Sequence, residues 1–128
     1  DGGDCRSVAD QLIAVSEIQA ARSAFAALRA DGSVVCWGRK DLGGDSCAVQ
    51  AQLQDVQQIQ ACSDAFAAIR RDGTVVTWGH PPCGGDSSSV QSQLKDVWSI
   101  QSTGSAFVAT LRKGSLVAWG NMHHGGVL

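Results

Sequence analysis

A period of 41 residues runs through the whole chain and constrains its fold more than any other feature. A Gly-Gly pair, an Ala-Phe pair and a Trp-Gly pair each recur at this spacing without gaps. A repeated unit of this size is one supersecondary structure that buries its apolar surface by stacking on its neighbours. We therefore divide the chain, taken as a single domain 1–128, into repeats 2–42, 43–83 and 84–124, with a fourth copy beginning at 125–128.

The segment after each glycine pair has the apolar spacing of a helical face. Val49, Leu53 and Val56 are four and then three residues apart, and the other two repeats keep this pattern. Asp45 or Ser46 stands where a side chain would accept the free backbone N–H groups at a helix N-terminus. The spacing predicts a short helix of about two turns ahead of the strands in each repeat.

Three strands are predicted after this helix, and in the second repeat they span 56–61, 65–70 and 74–78. An Asp-Gly pair, or Lys-Gly in the third repeat, joins the second strand to the third. Such a pair suits a tight hairpin because its residues tolerate positive φ. The Trp-Gly pair that follows is predicted to fill the core with one large aromatic side chain per repeat. The residues in this structural role are Trp37, Gly38, Trp78, Gly79, Trp119 and Gly120.

One stretch of the second repeat carries a family resemblance. From Ala65 to Gly79 the chain reads AFAAIRRDGTVVTWG. This segment resembles the repeat of the regulator of chromosome condensation family, which has an apolar strand, an Asp-Gly turn and a strand ending in Trp-Gly. The similarity covers all three copies. It is weaker between Trp-Gly and the next first strand, where the family usually has a Gly-rich loop and a proline.

The resemblance implies that each repeat is a blade of a β-propeller, and family members usually close a ring of about seven blades. Some members are guanine-nucleotide exchange factors for a small GTPase, others are protein-binding modules in ubiquitin ligases, and a bacterial relative inhibits β-lactamase. No exchange-factor residue maps onto this chain. Only the tryptophans and glycines of the Trp-Gly pairs carry over, as scaffold residues.

Three blades cannot close such a ring. We therefore expect a mainly β fold with short helices, arranged as a partial β-propeller in an open arc of three blades. An unclosed stack leaves apolar end faces, which further repeats, other copies of the chain or another protein would cover. The alternative is a closed pseudo-threefold β-trefoil or prism, which three repeats of about 40 residues would also suit.

Composition and motifs argue against several function classes. The net charge of −2 provides no basic surface for nucleic acid, and no apolar run approaches the roughly 20 residues of a membrane span. His80, His123 and His124 lack a recognised metal-ligand spacing even with Cys83, so neither a metal nor another cofactor is predicted. The chain has no nucleophile motif and no phosphate-binding loop, so we predict no catalytic residue and no enzyme activity.

The five cysteines do not recur at one repeat position, so they are expected to be mostly free, with one disulfide left open. Free thiols favour an intracellular, reducing compartment. The start at Asp1 without methionine also allows a processed organellar protein, as in a chloroplast. Cys36 and Cys62 lie in strand-like segments and should be packed, whereas Cys47 and Cys83 lie in loops and are more open to reaction, although nothing nearby predicts a lowered pKa.

The candidate partner-binding residues are those at which the third repeat departs from the pattern. Trp98 stands where the other repeats have Ser16 and Gln57, and Leu111 stands where they have arginine. If these polar equivalents face solvent, Trp98 and Leu111 expose an apolar patch, to which Met122 would add. A run of glutamines should form a solvated polar face or bond a partner's backbone. Its members are Gln50, Gln52, Gln54, Gln57, Gln58 and Gln60.

The predicted function is a non-enzymatic protein–protein interaction module or scaffold. Its partners would be other protein subunits or further repeats that cover the open end faces. Two alternatives stay open. One is a small accessory subunit peripheral to a larger complex, such as an organellar complex of a photosynthetic membrane. The other is a fragment of a guanine-nucleotide exchange factor or of a ubiquitin-ligase arm.

Overall fold

A computed structural model describes residues 12–121, which form three antiparallel sheets of three strands each. The strands are β1 (Val15–Ala20), β2 (Ala24–Arg29), β3 (Val34–Gly38), β4 (Val56–Ala61), β5 (Ala65–Arg70), β6 (Val75–Gly79), β7 (Val97–Ser102), β8 (Ala106–Leu111) and β9 (Leu116–Gly120). In the second repeat the first two strands have the predicted bounds, and the third is shifted by one residue. Among residues 12–121, no helix is long and apolar enough to cross a membrane.

Ahead of β4 and β7 the segment is helical, as predicted, but it is not the α-helix that its apolar spacing indicates. It forms a 3₁₀ helix, Cys47–Gln52 in the second repeat and Gln91–Gln93 in the third. Two more 3₁₀ turns, Lys40–Leu42 and Pro81–Cys83, precede the glycine pairs. Asp55 has a φ of 56°, which ends any helix before Val56 enters β4. The predicted short helix is therefore present as a 3₁₀ helix, and the four-then-three spacing reflects burial along this helix and the following strand rather than one α-helical face.

The predicted side-chain caps are half right. The Asp45 carboxylate accepts the Cys47 N–H at 2.9 Å, and Asp86 does the same for Ser88. Ser46, in contrast, caps no backbone group, and its hydroxyl instead lies 2.7 Å from Gln50 Oε1. The acidic residue thus tightens the turn, while the serine hydroxyl bonds a side chain of the same linker.

The Asp-Gly hairpins form, but the two residues have different roles. In the β5–β6 turn only Gly73 takes positive φ, at 86°, and its N–H donates to the Arg70 carbonyl at 2.9 Å. The Asp72 carboxylate accepts the Thr74 N–H at 3.0 Å and the Thr74 hydroxyl at 2.6 Å. These bonds hold the pKa of Asp72 below its usual value. The loop is thus a turn followed by one left-handed glycine, and the aspartate braces it.

The three sheets are arranged as blades of an open propeller. Each sheet pairs its strands in sequence order, and the first strands contact one another, β1 with β4 and β4 with β7. The first strands therefore lie on the inner side of the arc and the third strands on the outer side. Within residues 12–121 no strand ladder joins one sheet to another, so the closed pseudo-threefold alternative is wrong.

The hydrophobic core lies between the blades. Along β5, Phe66 and Ala68 belong to a cluster shared with the first blade, and Ala65, Ala67 and Ile69 belong to one shared with the third. The middle strand of the middle blade is therefore covered on both faces. That is why β5 is an unbroken apolar run rather than an alternating one.

The Trp-Gly pairs fill the core as predicted where a blade precedes them. Trp78 is buried and stacks on Phe66 with ring centroids 5.4 Å apart, and its Nε1–H donates to the Gly43 carbonyl at 3.2 Å. Trp119 is buried in the same way on Phe107. Trp37, in the first blade, is only partly buried. Because each tryptophan packs toward the preceding blade, its burial depends on the position of its blade in the stack.

Candidate functional site

The first blade exposes an apolar side chain that the other blades bury. Ile18 in β1 is 54% exposed, whereas its equivalents Ile59 in β4 and Ile100 in β7 are 1% exposed. Ile59 packs in the cluster between the first and second blades, and Ile100 packs in the cluster between the second and third. Ile18 therefore marks one open end of the arc, which we call the Ile18 face.

The third blade exposes the other half of the same junction. Leu116 at the start of β9 is 51% exposed, whereas its equivalents Val34 and Val75 are 1% and 3% exposed. Val34 shares a cluster with Ile59, and Val75 shares one with Ile100. We call this end the Leu116 face. The two end faces are the two sides of a junction that the chain itself builds twice.

In each linker between two blades, a glutamine side chain forms a hydrogen bond with the outer strand of the preceding blade. The Gln50 Nε2 group donates to the Val34 carbonyl at 3.0 Å, and Gln91 donates to the Val75 carbonyl at the same distance. Gln50 is exposed, as expected of the polar face, but its amide also bonds the outer strand of the preceding blade. A usable signal was in the sequence: Ser46 and Gln50 recur one period later as Ser87 and Gln91.

Trp98 is 58% exposed, as its polar equivalents predict. It lies at a β-bulge near the start of β7, where the pairing with β8 shifts between Val97 and Ser99. A bulge re-aims one side chain without ending the strand. The same shift occurs at Gln57, which is also exposed. Trp98 as a partner-binding residue stays a prediction.

Leu111 is buried at 6% exposure, so the prediction that it joins an exposed patch with Trp98 is wrong. It packs in the cluster between the second and third blades. Its equivalent Arg70 is only partly exposed, and the Arg70 Nε atom is buried without a hydrogen-bond partner. A polar residue at this position therefore does not mark a solvent-facing site, because an arginine buries its aliphatic stem there. Met122 lies outside the described residues.

The four described cysteines are free thiols, and the surroundings of Cys83 differ from the prediction. Burial raises the pKa of Cys36 to about 11 and also raises that of the buried Cys62. Cys47 is exposed, but its contact with the Asp45 carboxylate raises its pKa, which keeps the thiol protonated and less reactive. Cys83 is buried rather than exposed in a loop.

Two residues that sequence reasoning set aside as ligands lie together in the second repeat. His80 Nδ1 is 3.4 Å from Cys83 Sγ. Asp64, which the sequence did not single out, joins them, and one potential ligand atom from each residue lies within 4.8 Å of the other two. His123 and His124 lie outside the described residues. The structure thus brings together a carboxylate, an imidazole and a thiol.

No protein-family model and no curated protein matches the chain. Several solved structures do. Human WBSCR16 matches with a TM-score of 0.60 at 20% identity, over 89% of this chain and 35% of that one. Prp20p of Saccharomyces cerevisiae matches with a TM-score of 0.60 at 18% identity, over 83% of this chain and 30% of that one. The ectodomain of the receptor kinase CR4 of Physcomitrella patens matches with a TM-score of 0.57 at 23% identity, over 83% of this chain and 30% of that one.

These similarities concern the fold, and the chain spans about a third of the length of the structures it matches. Yeast Prp20 is an RCC1 protein, described together with its binding to Gsp1p and histones and also in a complex with Kap60. The similarity runs through all three sheets and agrees with the Asp-Gly and Trp-Gly pattern of each repeat. The chain has the fold of three consecutive blades of an RCC1-like β-propeller.

Proposed function

We propose that this chain is a non-enzymatic protein–protein interaction module whose principal binding surfaces are the Ile18 face and the Leu116 face. The observation that carries the proposal is the contrast in exposure between Ile18 or Leu116 and their buried equivalents. Fully burying an aliphatic side chain of this size contributes about 1.5–3 kcal/mol. The binding of yeast Prp20 to several proteins supports a similar use of this fold.

The occupant of each end face is another RCC1-like blade, from further repeats or from a second copy of the chain. The Ile18 face has the composition of a surface that packs on a preceding blade, and the Leu116 face that of a surface that packs on a following one. A head-to-tail contact between copies would therefore rebuild the internal junction. Such a heterologous contact does not close with two copies, so it leads to rings or chains.

Self-association tests this proposal. Wild-type chain should form oligomers that grow with concentration, measured by sedimentation velocity. Ile18→Lys and Leu116→Lys should each stay monomeric, because a lysine at either face leaves its charge without water or a partner in the junction. Mixing the two variants should yield a heterodimer and nothing larger, since one Leu116 face and one Ile18 face remain intact.

Gln54→Lys is the matched control for the added charge, since Gln54 is exposed in a linker. This variant should associate like the wild type. A mixture of Ile18→Lys and Leu116→Lys that stays monomeric would contradict the head-to-tail junction. It would instead favour a small accessory subunit whose end faces bind a protein without blades.

We propose Trp98 as a second partner contact, separate from the end faces. Trp98→Gln installs the residue that the second repeat carries at this exposed position, so stability should change by no more than about 0.5 kcal/mol. Binding of a partner that uses this surface should weaken roughly 30-fold, as expected for a hot-spot tryptophan. Affinity measured by calorimetry, with Gln57→Ala as control, checks this result. Unchanged affinity for every partner would remove Trp98 from the interaction surface.

A further inference from the structure

The second repeat has three polar residues that break the repeat pattern and lie together. Within a repeat scaffold, a binding site is expected where one copy departs from the others. The three residues and their equivalents in the first and third repeats are Asp64 (Ser23, Ser105), His80 (Arg39, Asn121) and Cys83 (Leu42, His124).

The strand register brings Asp64 and His80 together. Ala65 in β5 pairs with Gly79 in β6, so the residues just beyond this pair lie opposite each other. The His80 N–H donates to the Asp64 carbonyl at 2.8 Å and continues the ladder by one bond. The cluster is therefore attached to the rigid edge of a buried sheet rather than to a free loop.

A proline-rich 3₁₀ turn brings Cys83 back to His80. The turn spans Pro81–Cys83, and the Cys83 N–H donates to the His80 carbonyl at 3.0 Å. His80 is the N-cap of this turn, and its imidazole Nδ1 lies 3.4 Å from the Cys83 sulfur. The two prolines fix their own φ angles, which limits the conformations of the turn. The spacing His-Pro-Pro-Cys thus presents an imidazole and a thiol on one side.

The distances match those of metal ligands. A tetrahedral zinc ion with bonds of about 2.3 Å to sulfur and about 2.0–2.1 Å to nitrogen holds these two atoms roughly 3.5 Å apart. The observed separation of His80 Nδ1 and Cys83 Sγ is 3.4 Å. A ligand atom of Asp64 also lies within 4.8 Å of a ligand atom of each of the other two residues, so the three residues surround one small space.

The arrangement does not suit a nucleophilic relay. In a relay the histidine stands between nucleophile and carboxylate and uses its two ring nitrogens on opposite sides. That would separate the thiol from the carboxylate, whereas their ligand atoms lie within 4.8 Å of each other. The Asp64 carboxylate is instead paired with Arg22 of the first blade, at 2.8 and 3.1 Å. The Arg22 side chain is mostly exposed, so it can leave at little cost.

We propose that Asp64, His80 and Cys83 form a three-ligand binding site for a divalent transition-metal cation, and that zinc fits it best. Thiolate, imidazole and carboxylate are the three ligand types of protein zinc sites. A thiolate ligand argues against calcium and magnesium, which bind through oxygen. Three protein ligands leave a fourth position for water or for a side chain of a bound partner.

Cobalt(II) and zinc titrations of the reduced chain test the site. Cobalt should bind with one equivalent and produce the near-ultraviolet charge-transfer absorption of a thiolate–cobalt bond, and zinc should abolish it. Asp64→Ser, His80→Asn and Cys83→Leu introduce residues that neighbouring repeats already hold at these positions. Each variant should bind zinc at least about tenfold more weakly, since even the loss of an outer-shell partner costs tenfold or more.

Two controls locate the binding. Cys47→Ala removes an exposed thiol, and the double variant His123→Ala, His124→Ala removes the other two histidines; both should keep wild-type affinity and absorption. Melting temperatures measured without metal show whether each variant still folds. Zinc should raise the melting temperature of the wild type but not the melting temperature of Cys83→Leu. Cobalt binding without the thiolate absorption would overturn the site. So would wild-type zinc affinity in a folded Cys83→Leu variant.

Discussion

Phe66→Ala should lower the free energy of unfolding by about 3–5 kcal/mol, a large part of the roughly 5–15 kcal/mol that a domain of this size has. Phe66 is fully buried, stacks on Trp78 and packs in the cluster between the first and second blades. Its removal leaves a cavity that the two sheets cannot fill without moving toward each other. Urea denaturation followed by circular dichroism measures the loss.

Phe25→Ala is the matched control. Phe25 stacks on Trp37 at 5.3 Å, nearly the same distance as in the second blade, but it is only partly buried. Its loss should cost clearly less, because the first blade has no described blade on that side. Equal losses at the two positions would contradict the conclusion that stability resides between blades rather than within them.

Gly73→Ala should destabilise the chain by about 1–3 kcal/mol more than Gly114→Ala, although both glycines occupy the same turn position one period apart. Each has positive φ, 86° for Gly73 and 95° for Gly114, so each alanine adds left-handed strain of about 1–2 kcal/mol. An added Cβ at Gly73 would lie 2.9 Å from Asp96 Cα, whereas at Gly114 it would meet no atom within 4 Å.

The difference in stability between the two variants measures the contribution of the contact between the second and third blades. The Gly73 carbonyl accepts the Val97 N–H at 3.0 Å, so moving this turn also strains a backbone bond between blades. Differential scanning calorimetry on both variants measures the contrast at one protein concentration. If Gly114→Ala costs as much as Gly73→Ala, the close approach to Asp96 plays no part in stability.

The strands could be predicted because their signals are local and repeated three times. The bounds of β4 and β5 follow from apolar runs, turn residues and the 41-residue period. The helix type could not be predicted, because Leu53 and Val56 have α-helical spacing for another reason. Both are buried in the same junction, one at the end of a turn and the other in a strand.

The candidate site was predictable only in part. The exposure of Trp98 followed from its polar equivalents, but the same reasoning was wrong for Leu111. An arginine at the equivalent position is compatible with a buried stem, so residue type does not reveal which side of β8 faces a blade. Asp64 could not be chosen without knowing that β5 and β6 place it opposite His80.

The sequence by itself determined the repeat and the strands, because each depends on local patterns that recur every 41 residues. Only the tertiary structure decided which copies of the same residue are exposed. Ile18 and Ile59 are identical in type and repeat position, yet one is open and the other buried. The physical reason is that the core forms between blades, so the exposure of a side chain depends on whether a neighbouring blade covers it.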